Sequence, residues 1–132
     1  MLRPNLSQIL SLLLGLGLIN AVNAEQWVCH NDYEARCSEL GCAVYQQDDF
    51  TPASVLLSSE GELEICLYTG CWQGQGQVLA QAPYLVIQGN KLDWNSPFKV
   101  DQQDALLSLE RSSNIATMQV AGFQLSLLCY IH

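Results

Sequence analysis

Short alternating runs dominate the chain from residue 26 to residue 131. The clearest is 123–131, where Phe123, Leu125, Leu127, Cys129 and Ile131 alternate with Gln124, Ser126, Leu128 and Tyr130. A period of two marks a strand with one buried face. The same alternation puts Trp27 and Cys29 on one face of 26–30, and Leu63, Ile65 and Leu67 on one face of 62–68. In that second run Glu62 and Glu64 are expected to meet water near the turn, with Cys66 and Tyr68 covered further along. Turn residues punctuate these segments. Glu60-Gly61 joins 54–59 to 62–68, Gly89-Asn90 joins 84–88 to 91–94, and 111–114 joins 105–110 to 115–120. Each reads as a hairpin.

Three stretches break the pattern. Asn31 and Asp32 can cap a short helix that carries Glu34, Cys37 and Glu39 and stops at Gly41, with Cys42 just beyond. A helix so short is marginal in water, so a disulfide is its natural anchor. Residues 43–46 then continue as a strand. Residues 72–77 hold Gly74 and Gly76, too much glycine for a flat strand, and predict a bulge, a bend or the close approach of another backbone. A loop with Pro97 and Phe98 is expected over 95–103. The whole reads as all-β: a small antiparallel meander of about eight to ten short strands with one short N-terminal helix, closed as a barrel or folded as a sandwich. Closure removes the two edges that an open meander would expose.

The first residues belong to a different category. Arg3 precedes an apolar run over 9–19, and Val22-Asn23-Ala24 supplies small residues before Glu25. The run is too short to span a bilayer of about 30 Å as a helix. Residues 1–24 therefore read as a signal peptide and 25–132 as a single β domain. The formal net charge is −8, and losing Arg3 deepens it. Such acidity repels phosphate backbones and anionic headgroups, which excludes nucleic acid and membrane surfaces as favoured partners.

All six cysteines (Cys29, Cys37, Cys42, Cys66, Cys71 and Cys129) lie beyond the leader. An even set behind a signal peptide implies an oxidising compartment, periplasmic or extracellular, and disulfides. The favoured pairing is Cys29–Cys129, Cys37–Cys42 and Cys66–Cys71. The alternative cross-links the 37/42 pair to the 66/71 pair. Chain entropy gives about 4.7 kcal/mol for a loop of roughly 100 residues, against about 2 kcal/mol for a six-residue loop.

Little in the chain carries chemistry. His30 with Asp32 and Glu34 falls at one turn, where solvated polar groups are routine. There is no G-x-S-x-G elbow and no C-x-x-C redox pair. Glu60, Glu62 and Glu64 cluster at one turn as a hydrated edge. The expectation is a non-enzyme that needs no cofactor and no metal. Trp72 stands out among the aromatic residues, because it sits beside a cysteine and a flexible Gly/Gln run, where an exposed indole can anchor a partner. Packing under the glycine bend is the competing role for it. The expected partner surface is Thr69, Gly70, Trp72 and Gln73 with Glu60, Glu62 and Glu64.

The function that fits is an exported, acidic, disulfide-stabilised binding protein. In size, charge and architecture it resembles the periplasmic lysozyme inhibitors, although none of that group's motifs stands at a matching position and no residue carries over. The resemblance implies a protein partner, a cationic hydrolase such as lysozyme. The alternatives are a barrel holding a small ligand in its mouth, and a structural or accessory subunit of a cell-envelope complex.

Overall fold

The computed structural model describes residues 23–95 and 101–132. The expected leader up to residue 22, and Pro97 and Phe98 of the expected loop, lie outside the described residues. Eleven strands follow in chain order: β1 (Gln26–His30), β2 (Tyr33–Ser38), β3 (Gly41–Gln46), β4 (Ser54–Ser58), β5 (Glu62–Leu67), β6 (Gly70–Gln75), β7 (Gln77–Ala80), β8 (Tyr84–Trp94), β9 (Gln102–Glu110), β10 (Ile115–Val120) and β11 (Phe123–Ile131). Eight of them, β1-β4-β5-β6-β8-β9-β10-β11, close into an antiparallel barrel as β11 returns to β1. β7 pairs beside β8, and β2 and β3 extend off β11 outside the ring. No described helix is long and apolar enough to cross a membrane.

Alternation fills the barrel. Trp27, Val55, Leu57, Leu63, Ile65, Trp72, Leu85, Ile87, Leu107, Leu109, Leu125 and Leu127 are all buried in one core cluster. Each large apolar side chain so placed contributes about 1.5–3 kcal/mol. Cys29 and Cys129 join that interior and are bonded across the β1–β11 seam, where they stand directly opposite each other. The other bonds are Cys37–Cys42 and Cys66–Cys71, and these pairs too face each other across adjacent antiparallel strands. Directly opposed positions bring side chains close enough to bridge without bending either strand.

Three expectations need correction. The short helix over 31–41 is instead the β2–β3 hairpin. Tyr33, Ala35 and Cys37 alternate with Glu34, Arg36 and Ser38, and Cys37 pairs with Cys42 across a two-residue turn of Glu39 and Leu40. Gly41 takes a φ of +126° there, so it ends a turn and does not stop a helix. A helical nucleus fixes three residues for one hydrogen bond, whereas this segment gains a ladder with β3 and two residues of pairing with β11.

Gly89-Asn90 is not a hairpin turn either. β8 runs straight through it, with a register shift between Gly89 and Leu92. Gly89 is buried, and a Cβ on it would meet the Leu92 side chain at 2.9 Å. Lys91 takes a φ of +50° and donates its N–H to Asp104 Oδ1 at 2.8 Å. A bulge of this kind bends a strand without reversing it. β8 can thus accompany β9 along its length while serving β7 and then β6 on its other side. Thirdly, Tyr68 lies in the β5–β6 turn and is 76 % exposed, not covered.

The glycine run behaves as its composition predicts. The strand breaks at Gly76, between β6 and β7. A Cβ on Gly76 would stand 2.6 Å from Ile87 Cγ2 and 3.0 Å from the Gly61 carbonyl oxygen. Only glycine lets the two backbones close that corner.

Candidate functional site

The outward residues of neighbouring strands line up in rows across the barrel wall. One row runs Asp93 (β8), Gln73 (β6), Glu64 (β5), Leu56 (β4), Val28 (β1) and Tyr130 (β11), each directly opposite the next. Glu62 and Gln75 form the neighbouring pair. The wall is concave here, an open groove of about 730 Å³ lined by Glu62, Glu64, Gln73, Gln75, Asp93 and Leu56, with Gln26 and His132 at one end. His132 is tied to that end by its N–H, which donates to the Gln26 carbonyl at 2.9 Å.

Three carboxylates therefore share one face, and no lysine or arginine lines it among the described residues. Asp93 accepts a hydrogen bond from Gln102 Nε2 at 2.8 Å, which fixes its orientation without neutralising it. The row changes character along its length. It is acidic from Asp93 to Glu64 and apolar from Leu56 to Tyr130, where Leu56 is 43 % and Tyr130 60 % exposed. The Tyr130 ring stacks on His30 at 5.7 Å with 6° between planes. A face that is charged at one end and apolar at the other suits a protein surface better than a small polar solute.

Of the residues singled out in the sequence, the structure brings Glu62, Glu64 and Gln73 together here. It separates the others. Glu60 sits in the β4–β5 turn, where its carbonyl accepts from Gln75 Nε2 at 2.7 Å. Thr69 lies at the opposite end of β5, in the turn behind Cys66 and Cys71, and Gly70 beside it opens β6 opposite Leu67. Trp72 points inward. It is only 5 % exposed and packs on Trp94 with ring centroids 4.7 Å apart. Its Nε1–H is buried with no acceptor among the described residues, so the ring serves the core and not a partner. The period of two decides this, since Trp72 stands opposite inward-facing Ile65.

Asp93 is not among the residues the sequence singles out, because Gly89-Asn90 makes its segment read as the return arm of a hairpin. Its signal was present all the same, since it alternates with Leu92 and Trp94 along a continuous strand.

Other polar clusters do not converge. His30 Nε2 lies 3.9 Å from Asp32 Oδ1, and both are exposed. Glu34 is fully buried on the other side of the chain, where its Oε1 accepts from Arg36 Nη2 at 2.6 Å and from Thr51 Oγ1 at 3.4 Å. Arg36 in turn lies over the rings of Tyr45 and Phe123. Asn31 completes this patch, donating to the Tyr33 and Thr51 carbonyls and accepting from the Ala53 N–H. These contacts seat the β2–β3 hairpin on the barrel. Glu64, Cys66 and Cys71 are close enough to suggest a metal site, but both sulfurs are committed to a disulfide and have no thiolate to offer.

No protein-family model matches the chain, and neither the curated proteins nor the solved structures gave a match.

Proposed function

We propose that the protein is an exported binding module whose acidic outer groove takes a basic surface of a partner protein, in the manner of an inhibitor of a cationic hydrolase such as lysozyme. A small barrel with three disulfides fits a stable extracellular binding protein. The observation that carries the finer reading is the gathering of Glu62, Glu64 and Asp93 on a rigid concave wall with no lysine or arginine lining it among the described residues. Carboxylates on strands lose little freedom on binding, and a net charge of −8 steers a cationic partner toward them. The interior is occupied by core side chains, which disfavours a small ligand held inside the barrel. On this reading the groove binds and blocks; it catalyses nothing, and the leader directs the chain to the periplasm.

The test is inhibition of lysozyme and its affinity, measured with the oxidised protein at two salt concentrations. Replacing Glu62, Glu64 and Asp93 together by lysine should weaken binding by about 100-fold and flatten its salt dependence. The same number of reversals at Asp32, Glu60 and Glu110, outside the groove, should cost far less. Equal losses in the two triple variants would reduce the effect to net charge and dismiss the groove. Binding to a panel of basic hydrolases that is absent in the unaltered protein would dismiss the inhibitor reading.

A further inference from the structure

We propose that β3 is a docking edge, where an extended segment of a partner protein, uncharged in its middle and flanked by lysine or arginine, adds to the sheet as a further strand. The inference does not rest on the groove. β3 ends the strand order, and β2 is its only neighbour among the described residues. The Cα atoms of Cys37 and Cys42 are 4.1 Å apart. That is the spacing of a non-hydrogen-bonded antiparallel pair, about 4.5 Å, and not of a hydrogen-bonded pair, about 5.5 Å. Bonded and non-bonded pairs alternate along the ladder. Cys42 and Val44 therefore turn their N–H and C=O groups away from β2, toward the open side, and Gln46 does so with its N–H, its carbonyl capping the short 3-10 turn of Gln47–Asp49.

Proteins blunt such edges with lysine, proline, bulges or covering loops. β3 has no lysine, proline or bulge. It reads Gly-Cys-Ala-Val-Tyr-Gln with no charge, and pairs with β2 without a register shift. All but Tyr45 are exposed, Val44 at 61 %, and Leu40 in the adjoining turn is fully exposed. The Cys37–Cys42 bond holds the hairpin in shape, so the edge is ready-made and little ordering is needed on binding.

Charge decides the occupant. Glu39 precedes β3, Asp48 and Asp49 follow it, and no lysine or arginine falls within 39–49. A second copy, paired antiparallel about Val44, would bring Glu39 of each chain toward the Asp48–Asp49 turn of the other. Like charges would then meet at both ends, on molecules that already repel at −8 each. A segment with basic flanks meets opposite charge at both ends instead. The mode is strand addition, with affinity from main-chain bonds and selectivity from the flanks.

The probe is the peptide KKTVTVTKK, titrated into the oxidised protein while amide exchange and chemical shifts are followed. Protection is expected at Cys42, Val44 and Gln46, with the amides of β4 to β10 unmoved. The acidic counterpart EETVTVTEE should bind at least about tenfold more weakly. Val44→Pro removes an outward N–H without touching the ladder to β2, and should cost about tenfold or more. Val44→Lys leaves the backbone whole and repels the basic flanks, so it keeps the test sound if the proline variant misfolds. Equal binding by both peptides, undiminished binding by both variants, protection elsewhere than β3, or no binding at millimolar peptide would overturn the proposal. Concentration-dependent dimerisation abolished by Val44→Lys would overturn the choice of occupant in favour of a second copy.

Discussion

The β2–β3 and β5–β6 hairpins carry the same local pattern, Cys-x-x-x-Gly-Cys, at Cys37 to Cys42 and at Cys66 to Cys71. In each the cysteines face each other and are bonded, the glycine pairs with the residue after the first cysteine, and a two-residue turn closes the ladder. Their surroundings differ in every respect. β5–β6 lies within the barrel wall, flanked by β4 and β8. β2–β3 stands outside it, paired with β11 through Ala35 and Arg36 and joined to it by the Tyr33 hydroxyl, which donates to Ser126 Oγ at 2.8 Å. Even the glycines serve different ends. Gly41 adopts a φ of +126° in open space, where a Cβ would touch nothing. Gly70 has no such conformation, but the Trp94 ring lies 2.8 Å from where its Cβ would be. One glycine is required for its backbone and the other for its missing side chain. The same six-residue pattern is reinforcement where packing already exists, and the main constraint where it does not.

The sharpest way to break the comparison is to add bulk at both glycines. Gly70→Val should lower stability by about 3 kcal/mol, because Trp94 is itself fixed against Trp72 and cannot move aside cheaply. Urea unfolding followed by tryptophan fluorescence would report the shift directly. A loss below about 1 kcal/mol would mean that Trp94 swings out and that the wall is looser than it looks. Next in size is removal of the Cys66–Cys71 bond by double alanine substitution. It should cost about 2 kcal/mol of global stability by loop entropy, with the hairpin still formed between its two neighbours.

How far this contrast could be foreseen depends on the residues. The β5–β6 region was legible, because Leu63, Ile65 and Leu67 alternate cleanly and Glu60-Gly61 marks a turn. So were the closing strand from Phe123 and the corner at Gly76. The β2–β3 hairpin was not. Capping residues at Asn31 and Asp32 and a glycine nine residues on (Gly41) imitate a helix, and its alternation mixes Ala35 and Arg36 where apolar residues would have declared a strand. The repeated Cys-x-x-x-Gly-Cys pattern was the signal that could have corrected it. Of the candidate groove, the acidic half on β5 was visible and Asp93 was not, because Gly89-Asn90 has turn chemistry whether a chain reverses or only bulges. Trp72 takes the packing role of the two the sequence offered, and the glycines that follow it hide the alternation that would have shown this, because its inward position appears only from its pairing with Ile65.

The smallest expected effect is the most telling. Removing the Cys37–Cys42 bond should leave the urea midpoint of the barrel within about 0.5 kcal/mol of the unaltered protein, although the loop-entropy term is nominally the same 2 kcal/mol. Global unfolding registers only what is lost when the barrel opens, and the tip from Cys37 to Cys42 lies beyond the last residues of β2 that pair with β11. Freed of its bond, that tip frays on its own, as a local opening uncoupled from the core. The base should stay, because Glu34, Arg36, Thr51 and Asn31 hold it and none of them depends on the sulfur bridge. Hydrogen exchange would therefore show β3 amides losing protection while those of β1, β4 and β11 keep theirs. Gly41→Ala should act at the same place and more weakly, through backbone strain of about 1 kcal/mol confined to the turn. If either change moved the global midpoint as far as its counterpart at Cys66–Cys71 or Gly70, the outer hairpin would be part of the cooperative unit. The two copies of the pattern would then be equivalent after all.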